Sequence, residues 1–165
     1  MKIAFIGDTH HNEKAINEVI KYVNEYKIDI LIHLGDCVSD LSSIRSNFEG
    51  TIYAVAGNCD YTTKYPREQI IEVNTKKIFF THGDAFNVKS TLNSLSLKGE
   101  SLGANIILYG HTHIPIKEYY KDILIMNPGS IPKPSPCVRY GCIGYIEIDE
   151  NGKTINSTFK KVILW

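Results

Sequence analysis

Five short apolar runs, each followed at once by a polar turn, constrain the fold of this chain more than any other feature. They share a high content of Ile, Val, Phe or Tyr, and they are KIAFI before Gly7, DILIHL before Gly35, TIYAVA before Gly57, KIFFT before His82 and NIILY before Gly110. Short runs of this composition favour buried strands over helices. We therefore expect a sheet whose strands each end in a polar loop.

Helical periodicity separates the first two of these runs. In NEKAINEVIKYVNEYK, residues 12–27, apolar residues recur at the i, i+3, i+4 and i+7 spacing of one helix face, and Asn12 suits the N-cap position. A strand, a helix and a strand in succession predict a right-handed βαβ unit. Two further crossover helices are predicted over residues 39–48, with a Ser39 cap, and over residues 89–104.

The pattern changes after about residue 115. Four strand-like segments, IKEYY, ILIMN, CIGYIEID and KTINSTF, follow one another with little between them but turns. Residues 121–122 and 150–153 are expected to form hairpin connections, and the proline-rich residues 127–136 an ordered loop. The length of 165 residues suits one domain. The chain is therefore predicted to be an α/β protein with a mixed sheet and a β-rich C-terminal third.

Charge and hydropathy argue against several classes of protein. The 18 basic residues balance the 18 acidic ones, so no stable nucleic-acid binding is expected. No apolar run approaches the ~20 residues that a membrane helix needs, and the start MKIAFIGD is too short for a signal peptide. We therefore expect a cytoplasmic protein without membrane contact. Its four cysteines form no C-x-x-C pair and are expected to stay reduced.

Metal-capable side chains follow each of the five strands. The loops have the sequences GDTHHN, GDCVSD, GNCDY, HGDAF and GHTHI. Ligands of open α/β sheets bind in the crevice beyond the carboxyl ends of the strands. We therefore expect these loops to bring together seven polar residues, namely Asp8, His10, Asp36, Asn58, His82, His111 and His113. Any one alone is as well explained as a cap, a turn residue or a structural histidine, and only their joint occurrence indicates a metal site.

This set is too large for a single zinc ion, which takes three or four protein ligands. Asp8 and His10, like His111 and His113, are two residues apart, so in extended backbone both members of a pair would point to the same side. If Asp36 bridges two ions ~3.5–4 Å apart, as in two-metal hydrolytic sites, each ion receives four contacts. Imidazole, carboxylate and amide ligands without thiolate suit Mn, Fe, Ni or Zn.

The blocks GDTH, GD, GNCD, HG and GHTH, in this order, resemble the calcineurin-like metallophosphoesterases, whose pattern is D-x-H, G-D, G-N-H-[DE], H and G-H-x-H. The resemblance covers about residues 3–130, and NPGS at 127–130 recurs in the short bacterial and archaeal branch. Length and block placement are most similar to the small YfcE-like phosphodiesterases. The resemblance implies a β-sandwich of mixed sheets flanked by helices, with four α/β/β/α layers, as a single domain over residues 1–165 without a cap domain.

The resemblance also implies roles for individual residues. One metal ion would be held by Asp8, His10 and His113, the other by Asn58, His82 and His111, with Asp36 bridging them. Asn58 would also touch the substrate phosphate, and His11 is a further candidate for that contact. The implied reaction is hydrolysis of a small phosphodiester by a hydroxide that bridges two divalent ions. Mn is the expected cofactor, with Ni, Fe or Zn as alternatives.

The chain departs from the family pattern at one position. The family often has His after the motif Asn, where this chain has Cys59. That His is thought to protonate the leaving group or to steady the phosphate, and a thiol with the usual pKa of about 8.5 is a poor substitute at neutral pH. The general acid is therefore unassigned, with Asp60 and His11 as candidates.

Two other functions are weighed beside the phosphodiesterase. One is a phosphomonoesterase, and the other is a catalytically weak scaffold that binds proteins, like the retromer subunit of the same superfamily. That subunit has lost ligand residues, whereas all seven positions here hold competent ones, which favours an enzyme. The site is expected to be an open groove for small esters such as cyclic nucleotides, nucleotide fragments or aryl phosphates. Exposed strand edges in the β-rich third could support a homo-oligomer.

Overall fold

The computed structural model describes residues 1–61, 64–134, 136 and 140–164, without the side chain of residue 155. Its α-helices are α1 (Glu13–Glu25), α2 (Leu41–Arg45) and α3 (Asn93–Ser101). Its strands are β1 (Lys2–Ile6), β2 (Ile30–His33), β3 (Thr51–Ala54), β4 (Glu68–Val73), β5 (Lys76–Thr81), β6 (Ile106–Leu108), β7 (Pro115–Tyr120), β8 (Ile123–Pro128), β9 (Gly141–Ile148) and β10 (Thr154–Val162). No helix in these ranges is long and apolar enough to cross a membrane.

The strands form two mixed sheets. The first has the order β10-β9-β1-β2-β3, and the second has the order β4-β5-β6-β8-β7. β1, β2 and β3 run parallel, as do β5, β6 and β8. β9, β10, β4 and β7 are antiparallel to their neighbours. This topology confirms the predicted α/β fold with mixed sheets and flanking helices, and the β-rich third supplies two strands to each sheet.

Alternate side chains of the strands fill separate apolar layers. In β1, Ile3 and Phe5 point into the core between the two sheets, whereas Ala4 and Ile6 join the layer beneath α1 and α2. β5 and β6 alternate in the same way between the central core and a third layer beneath α3. Because both faces of these strands are buried, their sequences are almost continuously apolar.

Helix α1 forms as its sequence predicts. The side chain of Asn12 accepts a hydrogen bond from the backbone N–H of Ala15 at 3.0 Å, which confirms the N-cap. Ile16, Val19 and Val23 are buried along the face that packs on the first sheet. β1 and β2 are parallel neighbours, as the predicted strand, helix and strand require.

The second predicted helix is shorter than expected. A single 3-10 turn spans Val38–Asp40, and α2 then covers only Leu41–Arg45 of the predicted range 39–48. The predicted Ser39 cap is wrong, because Ser39 lies inside the 3-10 turn and α2 has no side-chain cap. Five of the residues in this range are Ser or Asn, which compete with the helix by forming local hydrogen bonds.

The third helix covers Asn93–Ser101, which is less than the predicted range 89–104. Gly99 weakens a helix by propensity, but here it allows close packing. A Cβ at Gly99 would lie 2.3 Å from the Cδ1 of Ile107 in β6. The helix therefore tolerates the glycine because the sheet approaches its backbone at this point.

One strand, β4, was not predicted from the sequence. Glu68–Val73 pairs antiparallel with β5 at the edge of the second sheet. It carries two charged residues, and most of its side chains are exposed or half-buried. Its signal is weak because an edge strand does not need a continuous apolar run.

Both predicted hairpins are present. Lys121 and Asp122 connect β7 to β8, with Lys121 in left-handed backbone, and residues 149–153 connect β9 to β10. Of the predicted loop 127–136, the first two residues belong to β8, and residue 135 lies outside the described residues.

Candidate metal centre

The predicted ligands lie in loops that follow the carboxyl ends of strands from both sheets. β1, β2 and β3 of the first sheet and β5 and β6 of the second lead into these loops. Hydrogen bonds or close approaches link all seven side chains, namely Asp8, His10, Asp36, Asn58, His82, His111 and His113. The structure thus brings the sequence-predicted set together at one end of the sandwich.

At five of the seven predicted ligands the backbone is left-handed, whereas extended backbone is expected from the sequence for the i, i+2 pairs. Asp8 and His10 have φ of 54° and 48°, His111 and His113 have 66° and 58°, and Asp36 has 58°. Left-handed backbone costs a non-glycine residue roughly 1–2 kcal/mol. The members of each i, i+2 pair converge because of this coiled backbone. Strain of this kind concentrates at functional sites, where the surrounding fold holds it in place.

One group of ligand atoms consists of Asp8, His10 and His113, whose ligand atoms all lie within 4.8 Å of one another. The Nε2 of His113 lies 3.2 Å from Asp8 Oδ1 and 3.5 Å from the Nε2 of His10. The other ring nitrogen of His113 lies 2.8 Å from the backbone oxygen of Lys133, which can only accept. In a neutral ring, Nδ1 therefore carries the proton of His113. The lone pair of its Nε2 then points at Asp8 and His10.

The second group centres on His82, which is fully buried. Its Nδ1 lies 2.8 Å from the backbone oxygen of Leu34, so in a neutral ring Nε2 is an acceptor. This Nε2 faces Asn58 Oδ1 at 3.1 Å, His111 Nδ1 at 3.2 Å and Asp36 Oδ1 at 3.4 Å. Two oxygen acceptors thus face an acceptor nitrogen, an arrangement that a cation among these atoms would stabilise.

Asp8 also belongs to the second group. Its carboxylate, that of Asp36 and the ring of His82 offer ligand atoms within 4.8 Å of one another. Asp8 Oδ2 accepts the backbone N–H of His111 at 3.1 Å, so this buried carboxylate connects the first loop to the fifth. The two groups are therefore adjacent halves of one centre.

Local electrostatics favour neutral rings at two of the histidines. Burial lowers the pKa of His10 and of His111 below the ordinary value. The hydrogen bond to Asp8 instead raises the pKa of His113. Burial alone would raise the pKa of Asp36, but hydrogen bonding from Cys59 and the neighbouring His82 outweigh it and lower the pKa. A neutral imidazole and an ionised carboxylate are the forms that bind metal.

The NPGS segment supports the fifth loop from behind. The fully buried Asn127 donates to the backbone oxygen of Gly110 at 2.7 Å and to Thr112 Oγ1 at 3.0 Å, and it accepts the N–H of Gly129. Ser130 Oγ donates to the backbone oxygen of Asp8 at 2.8 Å. The sequence predicted this motif only as part of an ordered loop, and its side-chain contacts become visible only in the folded structure.

A buried polar network lies beside the centre. Thr9 Oγ1 donates to Asp40 Oδ2 at 2.6 Å and lies 3.3 Å from His33 Nε2. His11 contacts the same carboxylate through both its backbone N–H, at 3.0 Å, and its Nδ1, at 2.7 Å. His11 is therefore held at the rim, with most of its ring in solvent. Asp40 was missed as a positioning residue, although it ends the quoted loop GDCVSD.

The two residues after Asn58 differ in what they can do. Both carboxylate oxygens of Asp60 accept backbone N–H groups, from Val38 at 2.9 Å and from Gly57 at 2.8 Å. These bonds tie Asp60 into the loop and argue against its predicted role as proton donor. The hydrogen bond between the Cys59 thiol and Asp36 raises the pKa of the thiol to about 11. Cys59 therefore stays protonated at neutral pH.

Comparison with known proteins agrees with this geometry. Residues 1–151 match the model of the calcineurin-like phosphoesterase superfamily domain. The chain is 36% identical over 135 residues to the probable metallophosphoesterase YsnB of Bacillus subtilis, covering 81% of this chain and 77% of that protein. It is 30% identical over 162 residues to the phosphodiesterase MJ0936 of Methanocaldococcus jannaschii, covering 88% and 87%.

A solved structure shares the same architecture. The crystal structure of a conserved protein from Streptococcus pneumoniae TIGR4, described as a predicted phosphoesterase, superimposes with a TM-score of 0.76 at 28% identity. The match covers 97% of each chain. The ordered motifs, the ligand groups at the end of the sandwich and these matches together show that the chain belongs to the calcineurin-like phosphoesterase superfamily.

Proposed function

We propose that this protein is a phosphodiesterase that hydrolyses small phosphodiesters with two bound divalent metal ions, Mn²⁺ being the preferred one. The observation that carries the proposal is the environment of His82 Nε2, which lies within 3.4 Å of oxygen acceptors from Asn58 and Asp36 and of a ring nitrogen of His111. An arrangement of acceptors around an acceptor is stable when a cation lies among them.

The donor set fits such ions. Asp8, His10 and His113 would hold one ion, Asn58, His82 and His111 the other, and Asp36 would bridge, with Asp8 near both groups. The backbone oxygens of Leu34 and Lys133 accept from His82 and His113, which is the orienting contact that metal-binding histidines usually have. A set of imidazole, carboxylate and amide ligands suits Mn, with Fe, Ni or Zn as alternatives.

The two ions would supply positive charge opposite the phosphoryl oxygens and a water molecule of lowered pKa. The two carboxylates of the centre, Asp8 and Asp36, offset only two of the four positive charges, so an anionic substrate is favoured. Asn58 is exposed at the surface of the site, where its amide can contact a phosphate. His11, held by Asp40 at the rim, can contact the same group.

Relatives support a diesterase over the alternatives. The Methanocaldococcus jannaschii protein is named a phosphodiesterase, and the open position of the centre suits esters with two organic substituents. A phosphomonoesterase is the first alternative. A protein-binding scaffold is the second, and the complete ligand set argues against it, since a scaffold has no use for buried acceptors that face one another.

The test is hydrolysis of bis-p-nitrophenyl phosphate by metal-stripped protein before and after addition of Mn²⁺, beside D36N. D122N, which changes an exposed carboxylate in the β7–β8 turn, is the control. We expect Mn²⁺-dependent release of nitrophenol that D36N lowers at least about 100-fold and D122N does not change. Elemental analysis should find about two ions per chain. Folded protein that stays inactive with Mn²⁺, Fe²⁺, Ni²⁺ and Zn²⁺ would refute the proposal, and faster hydrolysis of p-nitrophenyl phosphate would favour a monoesterase.

A further inference from the structure

A groove of about 830 Å³ opens directly beside the metal centre. Its walls are formed by the 3-10 turn and α2 on one side and by residues 59–61, 64 and 65 on the other. Its volume lies in the range of small-molecule sites, which is about 300–1,000 Å³. None of the seven predicted ligands, all of which the structure describes, lines this groove, so it is distinct from the metal centre itself.

One hydrogen bond connects the groove directly to the centre. The backbone N–H of Cys59, which lines the groove, donates to Asp36 Oδ1 at 2.9 Å. A second hydrogen bond, from the backbone N–H of Val38 to Asp60 Oδ1 at 2.9 Å, joins the two walls of the groove. A phosphodiester at the metal centre would therefore have one of its two substituents at the mouth of the groove.

Two cationic side chains line the groove. Arg45 is exposed at the end of α2, and its side chain forms no ion pair or hydrogen bond with any residue that the structure describes. Lys64 lines the facing wall, with its Nζ 5.5 Å from the centre of the Tyr65 ring. Asp60 is the one acid among the described lining residues, and both its oxygens already accept backbone N–H groups.

Apolar and aromatic side chains line other parts of the walls, together with three serines. Val38 and Leu41 are buried side chains of the wall formed by the 3-10 turn and α2. Tyr65 packs against the outer apolar layer, and Tyr61 is fully exposed on the same side. Aromatic rings beside cationic side chains are the combination that binds nucleobases and phosphates, since bases stack on rings and phosphates pair with Arg.

We propose that the groove binds the nucleoside of a short oligonucleotide substrate whose terminal phosphate is held by Arg45 and Lys64. The base lies against Tyr65 and Tyr61, and the phosphodiester to be cleaved lies at the metal centre. The natural substrates are then small 5′-phosphorylated nucleotide diesters. This inference rests on the proposed function, since it names the substrate class of the same site.

The first test compares hydrolysis of 5′-phosphorylated dithymidylate (pTpT) with that of unphosphorylated dithymidylate (TpT) by the Mn²⁺-loaded full chain. We expect pTpT to have at least a ten-fold higher kcat/KM, the effect of one charge-assisted contact. R45Q should reduce this preference to about two-fold. K160Q, which removes an exposed charge in β10 at the far edge of the first sheet, should retain it.

The second test measures binding of thymidine 5′-monophosphate and of thymidine to the full chain without added Mn²⁺, so that the result does not depend on catalysis. The monophosphate should bind about ten-fold more tightly than the nucleoside, and R45Q should lose most of that difference. Equal binding of both compounds, or a difference that R45Q keeps, would overturn the inference. Failure of the proposed function would show separately, as loss of activity on bis-p-nitrophenyl phosphate.

Discussion

Gly57 provides a sharp test of how closely the metal centre depends on backbone packing. A Cβ at Gly57 would lie 2.1 Å from Asp36 Oδ1 and 2.5 Å from the backbone nitrogen of Asp36. Ordinary van der Waals contact begins at 3.4 Å, so G57A requires Asp36, or the backbone beside it, to move by roughly 1 Å. The predicted bridging carboxylate is the group closest to the added methyl.

The cost in stability and the cost in activity are expected to differ. Overpacking of a well-packed site costs about 1–3 kcal/mol, which for a chain of this length lowers Tm by roughly 2–12 °C. A displacement of about 1 Å at a catalytic group costs on the order of 100-fold in rate. We therefore expect G57A to fold and to lose about 100-fold in kcat on bis-p-nitrophenyl phosphate, with weaker Mn²⁺ binding.

The matched control is G103A, in which the cost in stability has another origin. Gly103 follows α3 with φ of +67°, and a Cβ there would meet only the Lys77 side-chain nitrogen at 3.9 Å. Left-handed backbone then costs Ala roughly 1–2 kcal/mol. Thermal unfolding, Mn²⁺ titration and steady-state kinetics of both variants separate the two effects. Equal activity of G57A and G103A at similar Tm would refute the dependence of the centre on the position of Asp36.

Three further outcomes follow from buried contacts. Burial lowers the pKa of His33 from 6.5 to about 4, so the unfolded chain binds the proton more readily than the folded one. The free energy of unfolding therefore falls by up to roughly 3 kcal/mol as the pH drops from 6.5 toward 4. Urea unfolding of metal-free H33Q should show a shallower pH dependence than the wild type, and an unchanged slope would contradict this. N127A removes the hydrogen-bond partner of the buried backbone oxygen of Gly110 and of the buried N–H of Gly129. We expect it to lower the free energy of unfolding by about 2 kcal/mol and to weaken Mn²⁺ binding, measured by titration, about 10-fold or more. An Mn²⁺ affinity equal to that of the wild type would refute the supporting role of Asn127. C59H places an imidazole where a thiol of pKa about 11 now lies. We expect this variant to hydrolyse alkyl diesters with poor leaving groups at least about ten-fold faster than the wild type. An unchanged rate would contradict the idea that the wild type lacks a general acid.

Local sequence was sufficient to predict every strand but β4, and to predict the first helix. β1, β2, β5, β6 and β8 are predicted because strands buried on both faces need apolar residues at nearly every position. The Asn12 cap and the helical spacing after it are also local, and the structure confirms both. α2, α3 and the edge strand β4 were predicted poorly or missed, since their bounds depend on packing against other parts of the chain.

The candidate site, too, could be predicted only in part from the sequence. The motifs predicted the seven residues that meet at this site, because candidate metal ligands are recognisable as particular side chains directly after strands. The roles assigned to each ion, and the number of ions, stay predictions. The sequence did not indicate the left-handed backbone of Asp8 and His113, the hold of Asp40 on His11, or the contacts of Asn127.

The sequence by itself determined which polar side chains are available for the site and which strands they follow along the chain. The tertiary structure alone decided how those groups meet. Asp8 and His113 are 105 residues apart in the chain, and their side chains are 3.2 Å apart in the structure. The groove beside them is formed by two separate segments, and no repeating pattern in the sequence indicates that these segments meet. The physical reason is that strand formation follows from local composition, whereas a site formed by five loops exists only after both sheets have packed on one core.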